Sequence, residues 1–314
     1  MPTIHDLLVA APKLEVQLLL VLIQTMLWYV LINHILMPIG ALIISNLKSK
    51  KQFLHFNMEY LKDTLGVDFG EDQAKQKVSV HMGINTQHLI SGLLCAPSSL
   101  ALTSTLPTGI VSAMARHGAL AETGFDAEYI LVRIFTYTFG GEIGRKKNPP
   151  TVILVAVIHH SLSICLAIPM NIYYPDNIYY HAFICLMQLS VFVTFCCQQY
   201  GFTLNVKTSS GLIKMKIVTL TALFVIIGTR FIGYIWLLVI LFMTICRDEN
   251  WLVLKLTIVP IIMFSLFNVI MIRAVTIKLV KFLPMSAEKH SFEEIEPLDK
   301  SKISLESHIQ SSSK

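Results

Sequence analysis

The sequence predicts an all-α fold, a polytopic bundle of about seven transmembrane helices with an eighth left open. Three observations predict it. The chain of 314 residues is 54% hydrophobic and only 14% charged, whereas soluble domains carry about 25% charged residues. Seven apolar stretches are long enough to cross ~30 Å of hydrocarbon, which takes ~20 residues in a helix. Lysine and arginine residues alternate between the two sides of these stretches, as the positive-inside rule requires.

The predicted spans follow one another along most of the chain. They cover residues 16–45, 79–103, 127–144, 150–173, 178–204, 212–246 and 251–282. The first, sixth and seventh exceed the bilayer thickness, so they must tilt, kink or extend beyond it. The second and third carry ionisable groups, which indicates that they lie inside the bundle, away from lipid. A partly inserted eighth segment over residues 106–121 is the open alternative.

The predicted transmembrane bundle covers residues 16–283. It lies between a short non-cytosolic segment, residues 1–15, and a cytosolic tail, residues 284–314. The first span is expected to stay in the mature protein, because its apolar run is too long for a secretory signal peptide. The segment 47–78 is interpreted as an interfacial helix or, alternatively, as a partly ordered linker. The tail is polar and serine-rich, and we expect it to be disordered.

Basic residues predict that the N-terminus is lumenal or outside and the C-terminus cytosolic. The loops that follow the first, third and fifth spans hold most of them, for example Lys50, Arg145 and Lys207. The net charge of +5 is attributed to the basic residues that set this topology and that face anionic lipid. Nucleic acid is not expected as a partner, because the basic residues do not cluster on one soluble element. The six cysteines lack disulfide-framework and zinc-ligand spacing, and no cofactor is predicted.

Polar side chains within the predicted spans are the candidate cavity-lining residues. On the second span, His81, Asn85 and His88 recur at i, i+4 and i+7, which is one face of a helix. On the fifth span, His181 and Gln188 share a face in the same way. An ionisable residue within a span is costly unless it faces the bundle interior. These stripes therefore predict one internal cavity.

The fourth span adds the adjacent pair His159 and His160, with Ser163 one turn later. The two rings point about 100° apart on a helix of 3.6 residues per turn, and which of them faces the cavity is left open. Glu142 on the third span and Arg230 on the sixth are expected to line the cavity or to pair across it. An imidazole serves as a general base or an acyl acceptor when its pKa lies near the working pH. The pair is therefore also the candidate catalytic group.

Several sequence motifs occur in a recognisable order. The stretch GRKKNPPTVILVAVIHHSLSICL is a basic turn followed by an apolar helix with a histidine doublet. FTYTFGGEIG precedes it, and CCQQYGF and LFVIIGTRFIGYIWLL follow it. Over about residues 78–281 this order resembles the TLC family, the lipid-sensing membrane domain shared by ceramide synthases and related proteins. The resemblance implies a helical membrane core, an endoplasmic-reticulum location and a lipid-sized cavity that contains His159 and His160.

The resemblance leaves the activity open. Ceramide synthases join the doublet to a His-Asp pair on the next helix, which in this chain reads HAFICLMQLSVF without such a pair. The first hypothesis is therefore a protein that binds, senses or handles a lipid. The second is an acyltransferase with acyl-CoA as its substrate. A metal-dependent lipid hydrolase is less favoured, because HxxxH and HExxH spacings are absent, and a seven-span receptor is ranked last.

Overall fold

The computed structural model describes residues 2–66, 68–100 and 106–282, and every regular element in this part of the chain is a helix, as predicted. The helices in chain order are α1 Ile4–Leu8, α2 Leu14–Ser45, α3 Lys50–Leu65, α4 Glu71–Ser99, α5 Thr108–Phe139, α6 Gly141–Lys147, α7 Pro150–Tyr173, α8 Ile178–Phe202, α9 Ser209–Arg247 and α10 Trp251–Phe282. The predicted tail and the predicted end of the second span at residue 103 lie outside the described residues.

Five of the described helices, α2, α7, α8, α9 and α10, are long and apolar enough to cross a membrane. Their outer faces carry exposed apolar side chains such as Leu22, Phe224 and Val259. Soluble proteins rarely expose large apolar patches, so these helices indicate an integral membrane protein. The predicted count of seven or eight spans is not confirmed, because α4 and α5 are too polar to qualify by composition.

Helix α5 corrects the predicted third span. The structure has one helix of 32 residues here. It contains the predicted span 127–144 as far as Phe139, together with most of the alternative segment 106–121. The acidic residues Glu122 and Asp126 interrupt the apolar pattern between those two stretches, but both are buried inside the bundle. A helix of this length extends about 48 Å at 1.5 Å per residue. The separate eighth segment is therefore wrong.

Helix α3 lies within the segment interpreted as an interfacial helix or linker. Its Phe53 and Leu54 are buried in a cluster with Ile44 of α2 and Val78 of α4. The Gln52 side-chain amide donates to the carbonyl oxygen of Leu204 at 2.7 Å, which ties α3 to the end of α8. Because its apolar face packs on protein, α3 covers one end of the bundle.

Helix α4 packs against α2, α5 and α8, and so lies at the centre of the bundle. Small residues allow its close approach to α5, since the Ser91 hydroxyl donates to the Gly118 carbonyl at 2.7 Å. Such small-residue contacts are typical of helix association in membranes. Two long helices contain π-helical turns, α2 at Leu31–Leu36 and α9 at Ile227–Gly233. Turns of this kind are frequent at functional sites.

A glycine in α5 provides a test of this packing. A Cβ atom at Gly124 would lie 2.3 Å from Gln24 Cβ and 2.9 Å from the Gln24 backbone carbon, so α2 and α5 would have to separate. We expect Gly124→Ala to cost ~1–3 kcal/mol, as overpacking does, measured as a lower melting temperature in detergent. Gly109→Ala on the same helix is the control, because nothing lies within 4 Å of its Cβ position. Equal melting temperatures for the two variants would contradict the α2–α5 packing.

Candidate functional site

A cavity of about 400 Å³, here called the central chamber, lies between α4, α5, α7, α8, α9 and α10. Its volume falls within the ~300–1,000 Å³ of ligand pockets. Its walls combine aromatic and aliphatic side chains with a set of polar ones. The polar lining comprises His81, Asn85, His88, Glu122, Asp126, Tyr129, His159, His160, Ser163, Gln188, Gln198 and Arg230, with Tyr60 of α3 at one end.

A second cavity, the end chamber, adjoins it near α3 and has a volume of about 490 Å³. Both chambers are lined by His159 and His160, and they also share His81 and Tyr129. The end chamber adds the basic side chains of Lys77 and Arg133. The histidine doublet therefore lies where two chambers of different character meet.

His160 contacts a buried carboxylate of α5. Its Nδ1 atom is hydrogen-bonded to Oδ1 of Asp126, which is 1% exposed. When Asp126 is ionised, its carboxylate only accepts hydrogen bonds, and the proton of this contact then lies on His160 Nδ1. In the neutral ring, Nε2 then carries the lone pair. A carboxylate that fixes the tautomer of a histidine in this way is the arrangement found in general-base dyads.

His159 has a different environment. Its ring stands edge-on to Phe264 and Phe267 of α10, with centroid separations of 5.5 and 4.8 Å. The rings of His159 and His160 are 5.2 Å apart and inclined by 80°. The Nδ1 atom of His159 is buried and has no hydrogen-bond partner among the described residues. Because buried polar atoms are normally hydrogen-bonded, this nitrogen is available to a bound molecule.

A second histidine–carboxylate pair lies on the neighbouring helices. His88 Nδ1 is 2.5 Å from Gln188 Oε1 and 3.4 Å from Glu122 Oε2. The Gln87 side-chain amide also donates to that carboxylate oxygen, at 2.9 Å. The His88 ring packs edge-on to Phe125 at 5.5 Å. Oε2 of Glu122 is thus held by His88 and Gln87, and this network links α4, α5 and α8.

Arg230 lies in the π-helical turn of α9 and lines the central chamber. It donates from Nε to the Ser190 hydroxyl at 2.8 Å and from Nη1 to Asn268 Oδ1 at 3.1 Å. A weaker contact of 3.4 Å joins Nη2 to the Met187 carbonyl. These contacts connect α9 with α8 and α10.

The chamber brings together most of the residues that the sequence singled out. They are His81, Asn85, His88, His159, His160, Ser163, Gln188 and Arg230. Both members of the doublet face it. The spacing argument for α4 therefore selected the correct face of that helix.

Two predicted cavity residues lie elsewhere. Glu142 is exposed on α6, because the chain turns at Gly140 and Gly141, the latter with φ of 60°, and α5 has ended. His181 is fully buried in helix packing, with Nδ1 2.7 Å from the Ser98 hydroxyl and Nε2 3.0 Å from the Pro175 carbonyl. Both ring nitrogens of His181 are therefore occupied by protein.

The acidic half of the site was missed by the sequence analysis. Glu122, Asp126, Tyr129 and Arg133 recur at i, i+4, i+7 and i+11 along α5, the same spacing that identified the histidine face of α4. Applied to ALAETGFDAEYILVR, that spacing would have found the stripe. Arg133 of this stripe donates to Asn148 Oδ1 at 2.8 Å and to the Tyr129 hydroxyl.

Within residues 2–66, 68–100 and 106–282, no group of three or more histidine, cysteine, aspartate or glutamate side chains has the arrangement of a metal site. Comparison with protein-family models, with curated proteins and with solved structures gives no match for this chain.

Proposed function

We propose that this protein is a multi-pass membrane protein of TLC type that binds a membrane lipid in the central chamber. The observation that carries the proposal is the chamber itself. It joins an apolar wall, which includes Phe195, Phe264 and Met271, to a cluster of polar groups. A cavity with apolar walls and a few convergent polar groups is the usual form of a small-molecule site. A lipid chain would pack on that wall, and its head group would meet the polar cluster.

The proposal includes a membrane topology of seven spans. Helices α4 and α5, with 29 and 32 residues, are long enough to cross the bilayer, which gives seven spans with α2 and α7–α10. Their ionisable groups, such as Glu122 and Asp126, are buried against the other helices, where such groups are tolerated in membranes. The N-terminus is then lumenal or outside and the C-terminus cytosolic. The resemblance implies the endoplasmic reticulum.

Native mass spectrometry tests lipid binding directly. Protein purified from membranes in a mild detergent is expected to retain a lipid, to lose it on prolonged detergent exchange, and to rebind lipid added afterwards. Protein that carries no lipid at any stage and rebinds none would refute the proposed function.

A second candidate function is acyl transfer from acyl-CoA to a lipid amine or hydroxyl, and the His160–Asp126 contact favours it. His160 Nε2 would take the proton of the acceptor amine or hydroxyl as the nitrogen or oxygen of that group attacks the thioester carbonyl. The bond from the carbonyl carbon to sulfur then breaks, and the departing thiolate of CoA receives the proton that His160 had taken up. The acidic partner that ceramide synthases supply from the next helix would come here from Asp126 on α5. General-base assistance of this kind contributes ~10²–10⁴-fold in rate.

The two chambers fit the two substrates of such a reaction. Lys77 and Arg133 line the end chamber, and together with Lys147 they line a further pocket of about 190 Å³ beside it. Phosphate groups of acyl-CoA would bind at these cations, since lysine and arginine are the usual phosphate partners. The acyl chain and the acceptor lipid would meet at the doublet. Purified protein that converts labelled palmitoyl-CoA and a long-chain amine or alcohol to a new amide or ester would support this candidate, and absence of any product would refute it.

A further inference from the structure

The charge of Arg230 lacks an acidic partner. Its three acceptors, the Ser190 hydroxyl, the Asn268 amide oxygen and the Met187 carbonyl, are all neutral. A guanidinium has five N–H donors, so two of them remain for another acceptor. Arginine is rarely left without a partner inside a membrane protein and usually marks a functional site there.

The carboxylates that line the chamber are already engaged elsewhere. Glu122 pairs with His88 and accepts from Gln87, and Asp126 pairs with His160. In the described part of the chain, no carboxylate forms an ion pair with Arg230. The chamber therefore has one wall on which histidines and acids contact each other, and another wall on which Arg230 lines the cavity without a carboxylate of the described residues in salt-bridge contact.

The backbone at Arg230 is also unusual. It lies in the seven-residue π-helical segment Ile227–Gly233, between regular α-helical stretches of α9. Such turns are rare and occur often at functional sites. The chamber, a guanidinium without a direct carboxylate partner among the described residues and the π turn coincide at Arg230.

From this coincidence we infer that the lipid of the central chamber is anionic, with the oxyanion of its head group, a carboxylate or a phosphate, bound by Arg230. The inference rests on the proposed function and names the chemical class of its ligand. An oxyanion accepts two parallel N–H bonds from a guanidinium, the strongest hydrogen-bonding arrangement that arginine makes. The ligand charge thereby neutralises the cation, and its chain lies along the apolar wall.

A purely structural role for Arg230 is the competing explanation, since its contacts join α8, α9 and α10. The two explanations differ in what happens when the charge of the ligand changes. A structural arginine makes no distinction between charged and neutral ligands of the same chain length. A ligand-binding arginine favours the charged one.

The experiment is therefore a competition assay with three probes of equal chain length: oleate, methyl oleate and oleyl phosphate, at mildly alkaline pH. Wild-type protein is expected to bind the stronger of the two anions ~10–100-fold more tightly than the ester, as a charge-assisted hydrogen bond in a desolvated site allows. The order of oleate and oleyl phosphate identifies which oxyanion the site takes. In Arg230→Gln the ratio of anion to ester affinity is expected to fall to about one.

Arg247→Gln serves as the matched control, because Arg247 is exposed at the end of α9 and pairs with Asp248 at 3.1 Å, away from the chamber. It should keep the wild-type ratio. Equal binding of ester and both anions by wild-type protein would overturn the inference and leave lipid binding intact. Binding of none of the three probes would overturn both. If Arg230→Gln does not fold, the wild-type ratio alone decides the inference.

Discussion

Asp126→Asn is expected to reduce acyl transfer by ~10²–10⁴-fold if that candidate function operates, with little change in stability. Asparagine has nearly the shape of aspartate, but its amide can present an N–H group to His160. The ring would then be held in the tautomer that lacks a lone pair at Nε2. The product formed from labelled palmitoyl-CoA, followed over a range of pH, measures the loss. The pH profile separates a changed base from a general loss of folded protein.

Glu128→Gln is the matched control for Asp126→Asn. Glu128 is also a buried acid on α5, 3.5 Å from the Asn33 amide. It lines the small pocket of Lys77, Arg133 and Lys147 but not the central chamber, so the two variants are compared at saturating palmitoyl-CoA. The control should retain most of the activity. Similar rates for the two variants would show that the His160–Asp126 pair is not the base, and the lipid-binding function would then stand without catalysis.

Ser163→Phe is expected to abolish most lipid retention. Ser163 lines the central chamber one turn after the histidine doublet, so a phenyl ring there would occupy the space of the lipid chain. Loss of ~3 kcal/mol of binding free energy corresponds to ~100-fold weaker binding, which native mass spectrometry would register as loss of the bound lipid.

Cys165→Phe is the control for this chamber-filling change. Cys165 lies on the same helix but is exposed on its outer surface. The added ring should meet the surrounding lipid and leave the bound lipid in place. If both variants retain lipid equally, the retained lipid lies on the outer surface of the bundle and the chamber is not its site.

Helical spacing identified the chamber-lining face of a helix where that helix had already been recognised from the sequence. His81, Asn85 and His88 are separated by four and three residues, and all three line the chamber. The same logic applied to His181 and Gln188 was only half correct. Spacing shows that two residues share a face, but it does not show which neighbour covers each end of that face. His181 is covered by Ser98, whereas Gln188 reaches the chamber.

The N-terminal half of helix α5 could not be recognised from hydropathy. Its acids and Arg133 lower the apolar character of the segment, and the partners that make their burial tolerable lie on other helices. Asp126 and His160 are 34 residues apart in the chain, and Glu122 and Gln87 are 35 apart. Hydropathy treats each charge as an isolated cost, whereas the structure offsets these charges in pairs.

Glu142 shows the opposite error. It follows the apolar run of α5 closely enough to be counted in the span, but the glycine pair before it turns the chain. A glycine with positive φ commonly marks a helix end, and Gly141 has that conformation. Reading GGE as a stop would have removed Glu142 from the candidate site.

Photo-cross-linking with a diazirine-bearing fatty acid tests the central claim most directly, because it reports where a lipid chain lies in the membrane-embedded protein. We predict cross-links on chamber-lining residues, such as Met187 and Phe195 of α8 and Phe267 of α10, and we predict that unlabelled lipid competes for them. Cross-links confined to outward residues such as Phe224 and Val259, with none in the chamber, would contradict the account.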